Sequence, residues 1–172
     1  MLSLTLVDSQ SGFGEYAAVY SLTTPASGSN TFSITFTNTA PYNFVTLVSV
    51  SGADTTTPTG TVDKSTGDSA TTASDTVSSA TDGLCVDVLA LRFATVDTLA
   101  ADGGQTERHT TETLGGGEIM HGASTEAGAA SVTMGWSWTT AGSYAHISVP
   151  INAAAGGGGG ATLIVFPRGK RR

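Results

Sequence analysis

The chain has 172 residues, of which 39% are hydrophobic and only 12% charged, with 22 glycines and a single cysteine. This length suits one domain with a sizeable core, and one cysteine excludes a disulfide framework. The charge is distributed unevenly. With three basic and fourteen acidic residues, the chain up to Pro167 has a formal charge of −11, and four basic residues follow it. An acidic body of this kind is not expected to bind nucleic acid.

The first residues contain neither the basic region nor the long apolar stretch of a signal peptide. No run in the sequence approaches the roughly 18 apolar residues that a membrane-spanning helix needs. We therefore expect a protein that is made in a cytoplasm and has no membrane partner.

Alternation of apolar and polar residues predicts β-strands along most of the chain. It is clearest in residues 2–6, 16–22, 32–36, 132–138 and 147–151. Two nearly continuous apolar runs, residues 44–50 and 84–93, predict strands buried on both faces. Together these segments predict an all-β fold, an antiparallel sandwich of jelly-roll or immunoglobulin-like type with about eight to ten strands. The expected core consists of Phe32, Ile34, Phe36, Val45, Leu47, Val86, Val88, Val132, Met134, Trp136, Ile147 and Val149.

Two stretches have no strand-like pattern. Residues 54–73 are rich in Thr, Ser and Gly and contain Pro58, and residues 110–125 include Gly115, Gly116 and Gly117. Both are typical of long loops, and the second is expected to cover one end of the sandwich. Neither is long enough to form a domain, so residues 1–153 are interpreted as one sandwich domain.

The remaining residues, 154–172, are predicted to form a Gly-rich C-terminal arm. Five glycines, Gly156 to Gly160, precede an apolar strand-like segment at residues 161–166, and a basic end follows Pro167. Glycine linkers are flexible, so we expect this arm to be held by a sheet edge, of its own chain or of another chain in an ordered assembly. The residues expected to bind the partner are Leu163, Ile164, Val165, Phe166, Arg168, Lys170, Arg171 and Arg172. A simply solvated basic end is the alternative for the last four.

No pattern in the sequence predicts a catalytic or metal site. The three histidines have no ligand spacing, and Asp54, Asp63 and Asp68 share only a loop, without the spacing of a calcium-binding motif. No serine lies in a nucleophile elbow. His146 lies on a strand opposite Ile147 and is interpreted as a hydrogen-bonded structural histidine. We predict a protein that is not an enzyme and needs no cofactor or metal.

Trp136 and Trp138 allow two interpretations. If they face outward, the two rings could stack on sugars. Their spacing with Val132 and Met134 instead favours a core face.

The order of several short motifs resembles a known module. The motifs are Ser-Val-Ser-Gly-Ala-Asp at 49–54, Thr-Asp-Gly-Leu-Cys-Val-Asp-Val at 81–88, Gly-Gln-Thr-Glu-Arg at 104–108, Val-Thr-Met-Gly-Trp at 132–136 and Tyr-Ala-His-Ile-Ser-Val at 144–149. In this order they are similar to a β-sandwich module of tailed-phage virion proteins and bacterial secreted or surface proteins, over about residues 15–153. Such modules commonly have additional strands before the segment that resembles residues 15–20. The resemblance therefore implies that edge strands are missing here, and that residues 161–166 could fill the gap.

The resemblance implies a fold more than an activity. It places the chain in a virion, where we expect a capsid decoration protein that stabilises a phage head. Its partners would be further copies of itself, a trimer being one candidate, and a larger shell such as one built of a major capsid protein. The alternative is a carbohydrate-binding or adhesion module of a phage tail or fibre, or of a bacterial surface.

Overall fold

Ten β-strands form two antiparallel sheets in the computed structural model, which describes residues 4–28, 31–36, 43–93, 98–113, 118–157 and 160–169. The strands are β1 (Thr5–Gly12), β2 (Glu15–Thr23), β3 (Asn43–Ala53), β4 (Asp63–Val77), β5 (Leu84–Phe93), β6 (Ala100–Ala101), β7 (Thr106–Thr113), β8 (Glu118–Ala127), β9 (Val132–Ile151) and β10 (Gly160–Gly169). A single 3₁₀ turn, Ala155–Gly157, precedes β10. The prediction of an all-β sandwich is confirmed. No helix in the described ranges is long and apolar enough to span a membrane.

Sheet A has the strand order β1-β2-β10-β3, and sheet B the order β4-β9-β5-β8-β7, with β6 paired to β9. The two sheets pack face to face through small aliphatic side chains. Along each strand, every second side chain points toward the other sheet. The buried residues of this interface are Ala17, Val19, Ala53, Val86, Val88, Ala90, Ala145, Ile147, Val149, Ile151 and Ile164. Two ion pairs also join the sheets, Lys64 to Asp8 at 2.7 Å and Arg92 to Glu15 at 3.2 Å.

The C-terminal strand occupies the centre of sheet A rather than an edge. β10 pairs with β2 on one side and with β3 on the other, both antiparallel and within one chain. Ile164 and Val165 are fully buried there. Without β10, therefore, β2 and β3 would have no common neighbour in sheet A.

The β4–β9 ribbon folds back over the outer face of sheet B. The backbone N–H of Thr76 donates to Asp63 Oδ2 at 2.8 Å, although thirteen residues of straight strand would separate them by about 43 Å. The register shifts twice between Gly67 and Thr72, as β-bulges that bend a ribbon do. Gly142 packs so tightly that a Cβ would lie 2.6 Å from the carbonyl oxygen of Arg92. We call the folded-back part, residues 72–77 and 132–137, the flap.

The flap gives sheet B a second interior, on the side away from sheet A. Its aromatic part contains Leu89, Leu91, Phe93, Met120, Trp136, Trp138 and Tyr144, and a smaller part contains Val77, Cys85, Val132 and Met134. β5 is therefore buried on both faces, as its continuous apolar run predicts.

Several sequence-based expectations about strands and core are wrong. Residues 63–77, 106–113 and 118–127 form strands β4, β7 and β8, where loops were expected over much of 54–73 and 110–125. Polar Thr and Ser residues suffice in β4 and β7, because these strands are at sheet edges and need few apolar side chains. β8 lies between β5 and β7 and is stabilised by pairing with both. The core assignment fails for five residues: Phe32, Phe36 and Val45 are each 37% exposed, Leu47 is 47% exposed, and Ile34 is only half-buried and belongs to no core cluster. Residues 31–36 form no strand, and the outer face of β3 is open to solvent.

Candidate functional site

A cluster of charged and polar side chains lies between sheet B and the flap. Its centre is His146, which points from β9 away from sheet A because its neighbour Ile147 points toward it. Asp75 reaches it from the flap and Asp87 from β5, and all three side chains are fully or almost fully buried. Ionised groups are rarely buried at this depth unless they are paired. The stability of the cluster therefore depends on how completely its charged groups are paired.

Both ring nitrogens of His146 face carboxylate oxygens. Nδ1 lies 2.9 Å from Asp75 Oδ2, and Nε2 lies 3.0 Å from Asp87 Oδ2. A carboxylate only accepts hydrogen bonds, so both contacts are favourable only when both nitrogens carry hydrogen. Burial by itself lowers the pKa of His146. The hydrogen bonds and charges of Asp75 and Asp87 outweigh it and raise that pKa to about 9. His146 is thus an imidazolium between two acids at neutral pH.

Asp87 is the most highly connected member of the cluster. Its Oδ1 accepts hydrogen bonds from the backbone N–H of Ser124 at 2.8 Å and from the Ser124 hydroxyl at 2.7 Å. Its Oδ2 accepts one from the indole N–H of Trp136 at 2.7 Å, besides its contact with His146. These donors come from β8 and from both halves of β9, so a single carboxylate ties the flap to the sheet.

The indole that bonds to Asp87 lies against a glycine. A Cβ at Gly122 would lie 2.9 Å from the Trp136 ring, so β8 needs a residue without a side chain at this point. Trp136 also pairs with Ala101 of β6, and Gln105, just after β6, accepts a hydrogen bond from the N–H of Gly135 at 2.6 Å. Residues of β8, of β6 and of the segment after β6 therefore hold the indole beside Asp87.

The arrangement contains serine, histidine and aspartate but cannot act as a catalytic triad. A triad needs the nucleophilic hydroxyl on one nitrogen of the histidine and the carboxylate on the other. Here the hydroxyls of Ser124 and Ser148 bond to Asp87 and Asp75 instead, and both nitrogens of His146 face acids. No nitrogen is left to take a proton from a serine, and the buried side chains offer no access to a substrate. His146 is buried and paired with two carboxylates, which is the hydrogen-bonded position that the sequence interpretation gives it.

A second buried histidine faces the other interior. His121 of β8 bonds through Nε2 to the Thr46 hydroxyl of β3 at 2.8 Å, and its ring stacks on Phe44 with centroids 5.9 Å apart. The exposed His109 lies at the same centroid distance on a tilted plane. This contact places β3, which is an edge strand of sheet A, over β8.

Beside that edge lies an open groove with a volume of about 600 Å³. β3 forms one wall along residues 46–53, and the opposite wall includes Asp82, Leu84, Arg108 and Thr125. Arg108 Nε donates to the Thr125 hydroxyl at 2.7 Å, so its guanidinium is held against β8. The sequence analysis did not predict this groove, because residues 44–50 were expected to form a strand buried on both faces, whereas Val45, Leu47 and Ser49 are exposed.

The residues predicted to bind a partner either belong to sheet A or lie outside the described residues. Ile164 and Val165 are buried within sheet A, and Leu163, Phe166 and Arg168 are paired through their backbones to β2 or β3. Lys170, Arg171 and Arg172 lie outside the described residues. Trp136 and Trp138 are 0% and 5% exposed, which is the core position that their spacing favours.

The acids considered as metal ligands are separated. Asp54 caps the N–H groups of Thr56 and Thr57, Asp63 accepts from Thr76, and Asp68 accepts from Ser143. Within the described ranges, no three or more His, Cys, Asp or Glu side chains are grouped to hold a metal ion.

Comparisons of the chain with protein-family models, with curated proteins and with solved structures found no match. The resemblance to a phage and bacterial-surface module therefore remains a prediction from the motifs alone.

Proposed function

We propose that the chain is a non-enzymatic structural protein of a virion, and that its role is to decorate and stabilise a phage head. The observation that supports a structural role is the sealed Asp75–His146–Asp87 cluster. In the described part of the chain, this cluster brings the most reactive side chains together. Its hydrogen bonds and ion pairs all connect elements of the fold. The virion context comes from the motif resemblance.

A decoration protein needs a rigid body and a surface that contacts the shell. Sheet A offers such a surface on its outer side, where Leu6, Val45 and Leu47 are 50%, 37% and 47% exposed. Exposed apolar side chains grouped on one face are typical of protein contacts. The strongly acidic composition keeps the remaining surface soluble. We propose that this face binds the shell protein, in many copies per particle.

The test is the thermal stability of particles with and without the protein. Binding only to the assembled shell stabilises the assembled state by mass action. Particles stripped of the protein should release their genome at lower temperature, and adding back the purified chain should restore the original value. Adding back Leu47→Asp should restore it less well. Unchanged release temperatures would argue against decoration.

Fewer observations support the carbohydrate-binding alternative. The two tryptophans considered as a sugar-stacking platform are buried, so glycan contacts would need other aromatic rings such as the exposed Phe13. A glycan array with the purified protein tests this alternative directly.

A further inference from the structure

β3 differs from the other edge strands in having no charge. Of the strands that end the two sheets, β1 carries Asp8 and a register shift, β4 carries Asp63 and Lys64, and β7 carries Glu107 and another register shift. Charges and bulges of this kind protect sheet edges from pairing with other strands. Residues 43–53 contain no charged residue and no proline, and β3 keeps a regular register against β10 from Asn43 to Val50.

Backbone hydrogen bonds close the C-terminal end of this edge. Ala154 N–H donates to the carbonyl of Gly52, and Asp54 N–H donates to that of Asn152. Residues 45–51 have β10 on one side and no strand on the other among the described parts of the chain. A row of backbone donors and acceptors is therefore open to an incoming strand.

The groove has the position and length for one further strand. β3 lies over β8, as the contact between Thr46 and His121 shows, and sheet B continues one strand further, to β7. A fifth strand of sheet A would lie about 4.8 Å beyond β3, above β7. The open residues of β3 that line the groove, 46–51, span about 20 Å, which is the length of a six-residue strand.

The chain also contains a strand-like segment without a sheet. Residues 31–36 read Thr-Phe-Ser-Ile-Thr-Phe, an alternation with high β-propensity, yet they form no strand. Phe32 and Phe36 are each 37% exposed. None of the six residues lines the groove. Among the described residues, one copy of the chain thus has a strand-like segment outside both sheets and a sheet edge, residues 45–51 of β3, that pairs with no strand.

We propose that the groove beside β3 accepts residues 31–36 of a second copy of this chain as a fifth strand of sheet A. The two faces of the donor match their surroundings. Ser33 and Thr35 would face the polar wall that holds Arg108 and Thr125. Phe32, Ile34 and Phe36 would lie beside Val45 and Leu47 on the outer face, where cross-strand apolar pairs stabilise a sheet. The argument does not depend on a virion or a shell, because each copy supplies both donor and acceptor.

Self-association of the full-length protein tests this proposal. Sedimentation velocity from about 1 to 100 μM should show concentration-dependent dimers or larger closed species. Ile34→Lys in the donor and Leu47→Lys in the acceptor should each raise the dissociation constant at least tenfold, through the loss of a cross-strand pair and the entry of a charge. Both positions are outside the core, so the melting temperature of the monomer should change little. The matched control is Leu6→Lys, an exposed leucine on the same face at the opposite edge, which should associate normally.

Cross-linking identifies the donor. Two single variants, Ile34→Cys and Leu47→Cys, are mixed and treated with a short bis-maleimide. The native Cys85 does not interfere, because burial, together with the charge of Glu126, raises its pKa to about 11. Links between the two variants should exceed links within either variant alone. A protein that stays monomeric at 100 μM overturns the proposal, as does association that survives both lysine substitutions. A third variant carries both Ile34→Cys and Leu47→Cys. A link that forms only within single chains of this double variant overturns the proposal as well, because residues 31–36 would then fill the groove of their own copy.

Discussion

Sheet B has two interiors, and they are built on different principles. The one facing sheet A contains mainly small aliphatic side chains, whose contribution follows the apolar area that they bury. The one under the flap contains a fully buried imidazolium with two acids, where each member is stable only because the others are present. His146 and Ile147 are adjacent on β9 and face these two interiors. The first interior should therefore lose stability in proportion to what is removed, whereas the second should fail when any one partner is lost.

Removing β10 should have the largest effect, because it opens the aliphatic interior. A chain that ends after Gly157 loses Ile164 and Val165, each contributing about 1.5–3 kcal/mol by burial, together with the pairing of β10 to both β2 and β3. The sequence analysis placed residues 154–172 in an arm outside the sandwich domain. The position of β10 instead predicts loss of cooperative unfolding in sheet A. Hydrogen exchange of β2 and β3 amides measures this, and protection equal to that of the full chain would contradict it.

Asp87→Ala should be the most destabilising single substitution in the polar interior. It leaves the imidazolium of His146, the indole N–H of Trp136 and the Ser124 donors without their shared acceptor. Breaking a buried ion pair from one side costs about 3–5 kcal/mol. Urea unfolding measures the loss, with Asp82→Ala at an exposed turn as a control that should stay within about 0.5 kcal/mol. A cost for Asp87→Ala as small as that of the control would mean that the cluster is not coupled.

Alkaline pH should weaken only the polar interior. The pKa of His146 is about 9 in the folded chain, against about 6.5 when unfolded. Because the folded value is the higher one, the stabilisation is complete below pH 6.5 and is lost as the pH rises through 9. The difference corresponds to about 3 kcal/mol. Urea unfolding at intervals from pH 6 to pH 10 should show this decline, and His146→Gln should remove it. A flat profile for the unchanged protein would mean that His146 is neutral in the fold.

Ile147→Val should have the smallest effect of the four. Loss of one methylene group from a buried isoleucine costs about 0.5–1.5 kcal/mol, and the cost should be equal at pH 6 and pH 9. The same unfolding series provides the measurement. A cost that changed with pH would show that the two interiors are coupled across β9.

Sequence patterns predicted the fold where side chains alternate strongly or are apolar throughout. β5 shows this, since residues 84–93 are apolar enough to be recognised as buried on both faces. β4 was missed because Thr, Ser and Gly dominate it, and its strand character comes from pairing with β9. The segment around Phe32 was predicted to be a core strand from its own residues, yet residues 31–36 form no strand in the described part of the chain. The sequence pattern of a segment indicates which secondary structure it can form. It does not indicate whether a neighbouring strand is available to pair with it.

The polar cluster could be predicted only in part. The position of His146 on a strand, opposite Ile147, was sufficient to interpret it as a hydrogen-bonded structural residue. Its partners were not predictable, because Asp75 and Asp87 are 71 and 59 residues away in sequence and meet it only after the ribbon folds back. The bend itself depends on register shifts near Gly67 and on close packing at Gly142, which no periodic pattern shows.

The place of β10 also affects how the protein is made. A ribosome delivers the chain from its N-terminus, so β2 and β3 emerge long before the strand that joins them. Sheet B can assemble first, since all its strands precede residue 152. Sheet A cannot close until residues 160–169 have been made, and until then β2 and β3 each present an unpaired edge. Completion of this half of the sandwich is therefore a late step, and the interval before it is when the nascent protein is most exposed to mispairing.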